Sequence, residues 1–126
     1  MSDGPVREPA VRTLAMPADT NPSGDIFGGW LLSQMDIAAG TVAFQRARGR
    51  VATVAVDAMT FHKPVYVGDV VSSYAEVVRV GRTSITLHVE VWVKRGRTGA
   101  EIKVTEGRFT CVALDEEGRP RPVPPA

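Results

Sequence analysis

A chain of 126 residues with 15 Lys and Arg against 14 Asp and Glu, net charge +1, fits one domain with a buried core and leaves little room for a second. So even a balance gives no net field to draw nucleic acid or an anionic membrane surface, and any anionic partner has to be held locally. The single cysteine, Cys111, excludes an internal disulfide, and no basic stretch followed by an apolar one opens the chain, so a reducing, cytoplasmic setting is expected.

Residues 1–10 hold a Gly-Pro pair, a second proline and mixed charges, and read as a flexible arm. "VRTLAM" from Val11 is a short apolar run compatible with a strand, and "PADTNPSGD" after it is a loop of Pro, Asn, Asp, Ser and Gly. Next comes "GDIFGGWLLSQMDIAAGTVAF", in which Leu31, Met35, Ala38 or Ala39, and Val42 fall at helical spacing. Gly49 is placed to end this helix after a basic last turn, giving about 20 residues and about 30 Å. Its apolar part is too short, and too interrupted by Ser33, Gln34 and Asp36, to span a bilayer, so a soluble protein is expected.

The remainder reads as strands. "RVATVAVDAMTFHKPV" is rich in β-branched residues and is stopped at Pro64, while "DVVSSYAEVVRV" and "RTSITLHVEVWVKR" make a long hairpin turning at Gly81. In its second arm Ile85, Leu87, Val89, Val91 and Val93 alternate with Ser84, Thr86, His88, Glu90 and Trp92, the period of a sheet with one buried face. "EIKVTEGRFTCVALD" is the last strand, with Gly107 a candidate bulge. In the tail 118–126, Pro120, Pro122, Pro124 and Pro125 lack the N–H, so an extended conformation is expected. Strand, long helix and four strands in a meander make an α+β architecture. A helix apolar nearly all round exceeds what one sheet face can cover, so a second copy is expected to cover the rest.

The helix carries one acid in its middle. Leu32, Ser33, Ala39 and Gly40, three and four residues from Asp36, offer it no intrahelical ion pair. An unpaired carboxylate there is protonated, held by a group from elsewhere, turned to water, or kept for chemistry. Gly28 and Gly29 at the helix start either leave first-turn amides open to a developing oxyanion or let another backbone pass close. Ala38, Ala39 and Gly40 either make room for a ligand or permit close packing. A base beside an oxyanion hole suits hydrolysis of an acyl compound. No nucleophile elbow accompanies His62 and His88, and one Cys with two separated His gives no metal-ligand set.

"RTLAMPADTNPSGDIFGGWLLSQMD", "VATVAVDAMTFHKPVYVGDVV" and "VGRTSITLHVEVWVKR" together resemble the hotdog-fold acyl-CoA thioesterases of the YciA and brain-type cytosolic acyl-CoA hydrolase group. The resemblance implies a single hotdog domain over residues 11–117, one long central helix wrapped by an antiparallel sheet of about five strands. It also implies subunits paired into one continuous sheet, often as a trimer of dimers, with active sites between paired subunits. By position, Asp36 becomes the catalytic base or nucleophile, and Asp25 either a second catalytic group or the helix N-cap. Gly28 and Gly29 of the partner subunit become the oxyanion hole. Coenzyme A enters only as part of the acyl-CoA substrate, with no separate cofactor. Its phosphates call for cations, offered by Arg82 with Thr83 and Ser84, by Lys63, and more weakly by Lys94 and Arg95. His62 is expected half-exposed near that site, Trp30 and Trp92 in packing roles, and Cys111 as a buried small hydrophobe. The competing readings are a catalytically silent acyl-CoA-binding hotdog module and a hotdog dehydratase, the latter disfavoured because neither His lies on the helix.

Overall fold

The computed structural model describes residues 8–96 and 99–126; of the expected N-terminal arm, residues 1–7 lie outside the described residues. Strand β1 (Val11–Leu14) leads through a short 3-10 turn (Pro17–Asp19) to helix α1 (Gly28–Ala47), followed by β2 (Val51–Phe61), β3 (Val70–Val80), β4 (Ser84–Arg95) and β5 (Ala100–Ala113). The strands form one antiparallel sheet in the order β1-β3-β4-β5-β2. Helix α1 lies on one face of it, the α+β arrangement expected. No helix among the described residues is long and apolar enough to cross a membrane.

The alternation in β4 decides which face meets the helix. Ile85, Leu87, Val89, Val91 and Val93 are buried, as are Phe109, Cys111 and Ala113 of β5. Leu31, Met35, Ala38, Ala39, Ala43 and Ala47 close on them from α1. The alanines let the helix axis sit near the sheet, so Ala38 and Ala39 pack the core and do not line a ligand slot. Each larger aliphatic or aromatic side chain removed from water here contributes roughly 1.5–3 kcal/mol.

The meander expectation is corrected. Only β3, β4 and β5 follow one another; β2 crosses the sheet to pair with β5 at the far edge. Residues 62–69 are too many for a tight hairpin and carry the chain back across three strand spacings, about 14 Å. Val65 is buried in this crossover and its carbonyl accepts the Ile26 amide at 2.9 Å, tying it to the loop ahead of α1. Asp69 is fully enclosed and binds Arg95 at 2.8 Å, while Arg95 also donates to the Pro64 carbonyl and covers the Tyr66 ring. Arg95, a weak phosphate candidate by sequence, is thus the fastener of the crossover. Asp69→Ala is expected to cost roughly 2–3 kcal/mol, less than for a pair buried on both sides because the Arg95 side chain keeps 30% exposure. Urea denaturation measures it, and a loss below about 0.5 kcal/mol would show that the crossover is held by other contacts.

The bulge is also relocated. Gly107 pairs regularly with Val89, and the extra residue lies opposite it on β2, where Asp57 pairs Arg108 and Thr60 pairs Glu106. A Cβ on Gly107 would meet the end of Met59 at 2.7 Å, so the glycine makes room for the bulged strand.

Helix α1 ends on Arg48, in the left-handed region at φ 54, with Gly49 beyond it. Gly49 lies under the Arg121 side chain: a Cβ would stand 2.8 Å from its guanidinium, which would have to shift. Arg121 donates to the carbonyls of Ala47 and Leu114, at 2.8 and 2.9 Å, satisfying one helix-end acceptor. The tail runs extended and is pinned: Val123 N–H donates to the Arg82 carbonyl at 2.9 Å, and Arg46 to that of Pro124 at 2.6 Å.

Candidate functional site

Asp36 lies on the face of α1 turned from the core, and its Oδ1 accepts the Thr53 hydroxyl of β2 at 2.6 Å. The four sequence alternatives therefore resolve into an exposed carboxylate held by a neutral donor, with Oδ2 left unpartnered among the described residues. Thr53 sits where the β2 register slips against β5, and that irregularity aims its hydroxyl at the helix. The same hydroxyl is 3.7 Å from the Cys111 thiol. Burial pushes that thiol up, and the Asp36 charge adds to the rise, so Cys111 is an inert core residue as expected. Asp36 and Thr53 share the wall of an open cavity of about 420 Å³ with Gly29, Leu32, Ser33, Val56 and Phe109.

Gly29 joins this cavity to the helix start. The N-cap is Phe27, which supplies no side-chain cap, and the Gly28 and Gly29 amides have no acceptor among the described residues. A Cβ on Gly29 would meet nothing within 4 Å, whereas one on Gly28 would touch the Phe61 ring at 3.6 Å. Two donors are thus open at the positive end of the helix.

Asp25 precedes the cap by two residues, which excludes it as the N-cap. Within one chain no hydrogen bond joins it to Asp36 among the described residues. Its backbone is bound to Asn21: Asn21 N–H donates to the Asp25 carbonyl at 2.7 Å, and Asn21 Oδ1 accepts the amides of Ser23 and Asp25 at 2.9 and 3.1 Å. Sequence reasoning read Asn21 only as a turn former. Its Nδ2 is free among the described residues, an oriented amide donor in the loop that feeds Gly28 and Gly29. Thr53 was missed too, because nothing local to a strand marks the hydroxyl that will face a helix seventeen residues earlier.

The cation candidates separate. Arg82, Thr83 and Ser84 occupy the turn between β3 and β4, beside the tail that pins the C-terminal end of α1. Lys63 follows β2 and is backbone-bonded to Val104 at 3.2 Å, next to the Phe61 that touches the N-terminal end of α1. One chain does not bring the two together. Trp30 packs partly against the core, whereas Trp92 donates to Glu90 at 3.0 Å on the outer sheet face.

On that outer face cross-strand pairing gathers residues that sequence spacing had kept apart. His62 meets Glu106 at 2.7 Å, His88 lies 3.2 and 3.4 Å from Glu90 and Glu106, and Lys103 is within 3.5 Å of both acids. Hydrogen bonds from His62 and Lys103 hold the Glu106 carboxyl below the ordinary range. Burial pushes Glu90 up, but Trp92, Lys103 and His88 together outweigh it and hold it below as well. His88, Glu90 and Glu106 converge within 4.8 Å, as metal ligands would, yet the Lys103 ammonium already supplies the cation.

Comparison with known proteins gives a consistent result. The model of the thioesterase superfamily matches residues 23–100. The acyl-CoA thioester hydrolase YciA of Salmonella typhimurium is 54% identical over 127 residues, covering 98% of this chain and 96% of its own length. The crystal structure of the hexameric thioesterase y2039 from Yersinia pestis superposes with TM-score 0.91 at 56% identity, covering 97% of this chain and 99% of that one. An acyl-CoA hydrolase from Staphylococcus aureus, solved with butyryl coenzyme A, is 31% identical with TM-score 0.84 over 90% of this chain and 70% of that one. Alanine variants of the Staphylococcus aureus enzyme have also been solved, one at an asparagine and one at an aspartate fifteen residues further on.

Proposed function

The chain belongs to the thioesterase superfamily, and on that premise we propose that it hydrolyses acyl-CoA thioesters to a fatty acid and coenzyme A with Asp36 as the catalytic carboxylate. The observation that carries the reading is an exposed carboxylate, fixed by Thr53 at 2.6 Å, on the wall of an open cavity. The spacing of Asn21 and Asp36, fifteen residues, equals that of the Asn and Asp replaced in the Staphylococcus aureus enzyme.

The site needs two subunits. Strand β2 is an edge, and Val54, Val56 and Phe61 on it are exposed, a template for pairing with another strand. The named hexameric neighbour supports assembly of copies, and a trimer of paired subunits is the arrangement we favour. Two β2 strands pairing antiparallel about their midpoint set Thr53 of one beside the Phe61 end of the other. Asp36 then faces the open amides of Gly28 and Gly29 of the partner subunit.

Water attacks the thioester carbonyl while Asp36 takes its proton, and the partner's two glycine amides hold the oxygen that gains charge. The tetrahedral intermediate collapses by breaking the C–S bond, and the coenzyme A thiolate leaves with the proton that Asp36 returns. Asn21 Nδ2 orients the water or the carbonyl, and Asp25 acts through Asn21, whose side chain it braces. Alternatively the Asp36 carboxylate attacks directly and forms an anhydride that water then opens.

The test is thiol release from a series of acyl-CoAs, short to long chain, followed by a single turnover in oxygen-18 water. Hydrolysis is expected, and label recovered in Asp36 would select the anhydride route. Tight acyl-CoA binding without any turnover would instead make the protein a binding module.

A further inference from the structure

The outer face of the sheet gathers two imidazoles and two carboxylates that the thioester chemistry does not use. His88 and Glu90 lie on the same side of β4, two residues apart, and Glu106 of β5 is the register partner of Glu90. Spacing along the chain gave no metal-ligand set, but cross-strand pairing does: His88, Glu90 and Glu106 each bring a ligand atom to within 4.8 Å of the other two. His88 Nε2 stands 3.2 Å from Glu90 Oε2 and 3.4 Å from Glu106 Oε1. Bonds of about 2.0–2.2 Å to a tetrahedral zinc ion put its ligand atoms about 3.3–3.5 Å apart, so the imidazole is spaced from both carboxylates much as such an ion requires.

The second oxygen of each carboxylate is held from outside this trio. Trp92 Nε1 donates to Glu90 Oε1 at 3.0 Å, and His62 Nε2 lies 2.7 Å from Glu106 Oε2. Both carboxyls are held below their ordinary range and are ionised at neutral pH, as ligands must be. Two carboxylates directly opposite across a strand pair repel each other, and the single ammonium of Lys103 balances only half of their charge. Its shorter contact, 3.1 Å, is to Glu106 Oε2, the oxygen that His62 also holds; its contact to Glu90 Oε2 is 3.5 Å. Glu106 Oε1 and His88 Nε2 are therefore left facing each other. A cavity of about 290 Å³, walled also by Thr60, Gly107 and the exposed Arg108, opens onto them.

We propose that His88, Glu90 and Glu106 form a binding site for a divalent transition-metal ion of the zinc class, with His62 and Trp92 orienting the two carboxylates. One imidazole with two carboxylates suits such an ion, and the fourth position falls to water. The ligands stand on two paired strands and the carboxylates are held by outer partners, so the site is largely formed before the ion arrives. In the metal-free chain Lys103 supplies the cation; its long side chain swings aside for an ion of twice the charge that also binds the imidazole nitrogen. The ion braces β4 to β5. It takes no part in hydrolysis, because the sheet stands between this site and α1.

The test is calorimetric titration of the full chain with zinc chloride, beside His88→Ala, Glu106→Gln and Lys103→Met. The wild type is expected to take up one ion per chain. His88→Ala and Glu106→Gln should each bind at least about tenfold more weakly, and Lys103→Met more tightly, since the competing charge is gone. Cobalt in place of zinc should show the visible absorption of a four-coordinate site in the wild type and not in His88→Ala. No uptake by the wild type, or unchanged affinity in His88→Ala, would overturn the assignment. Loss of binding in His88→Ala with full binding in Glu106→Gln would reduce the site to a surface histidine and overturn it equally, as would weaker binding by Lys103→Met. Far-ultraviolet spectra verify that each variant is folded, and Glu90→Gln, with the same expectation, stands in for Glu106→Gln if that variant is not.

Discussion

Asp36→Asn is expected to lower acyl-CoA turnover by about 100-fold or more, the low end of the range for losing a positioned acid-base group. The substitution keeps the size of the side chain and an oxygen that can still accept the Thr53 hydroxyl, now at 2.6 Å. The cavity wall and the helix are therefore preserved, and what disappears is the capacity to take a proton or to attack. Because Asp36 faces outward, the variant should unfold at the wild-type temperature and bind acyl-CoA about as well. A fall in kcat with unchanged KM is the signature of an interaction made only in the transition state. A variant that keeps more than about a tenth of wild-type turnover would remove Asp36 from the mechanism.

The second large effect is expected from Val54→Lys/Val56→Lys. Val54 is 60% exposed and Val56 41%, on an edge strand that offers unpaired backbone groups. Lysines on such an edge oppose pairing, and two copies would bring four positive charges into one seam. Light scattering should report a shift to the monomer. Both side chains are exposed and outside the core, so the subunit fold and its far-ultraviolet spectrum should be kept. Activity should fall about 100-fold, as for loss of an oxyanion hole, because Asp36 would be parted from the partner's helix start. A monomer with full activity would show that one chain completes the site.

Much of this was legible in the sequence. The strict alternation from Ile85 to Val93 fixes β4 and its buried face, since a side chain's side of a strand depends only on its position along it. The glycine pair, the apolar residues at helical spacing and the basic close mark α1, which runs from Gly28 to Ala47. The isolation of Asp36 was visible too, because helical neighbours are set by counting three and four residues. What failed was pairing. Strands β2 through β5 have similar patterns, and no local signal says that β2 will leave β3 and close the far edge against β5.

The sequence by itself determined the elements, their buried faces and a lone carboxylate on a helix, all consequences of periodicity within one segment. The tertiary structure decided what that carboxylate meets. Thr53 reaches Asp36 only because β2 crosses the sheet and slips register beside α1. Arg95 serves the crossover and not a ligand because Asp69 is buried beneath it. Contacts between segments distant in the chain depend on how the whole core packs, and that information is held by no single stretch of residues.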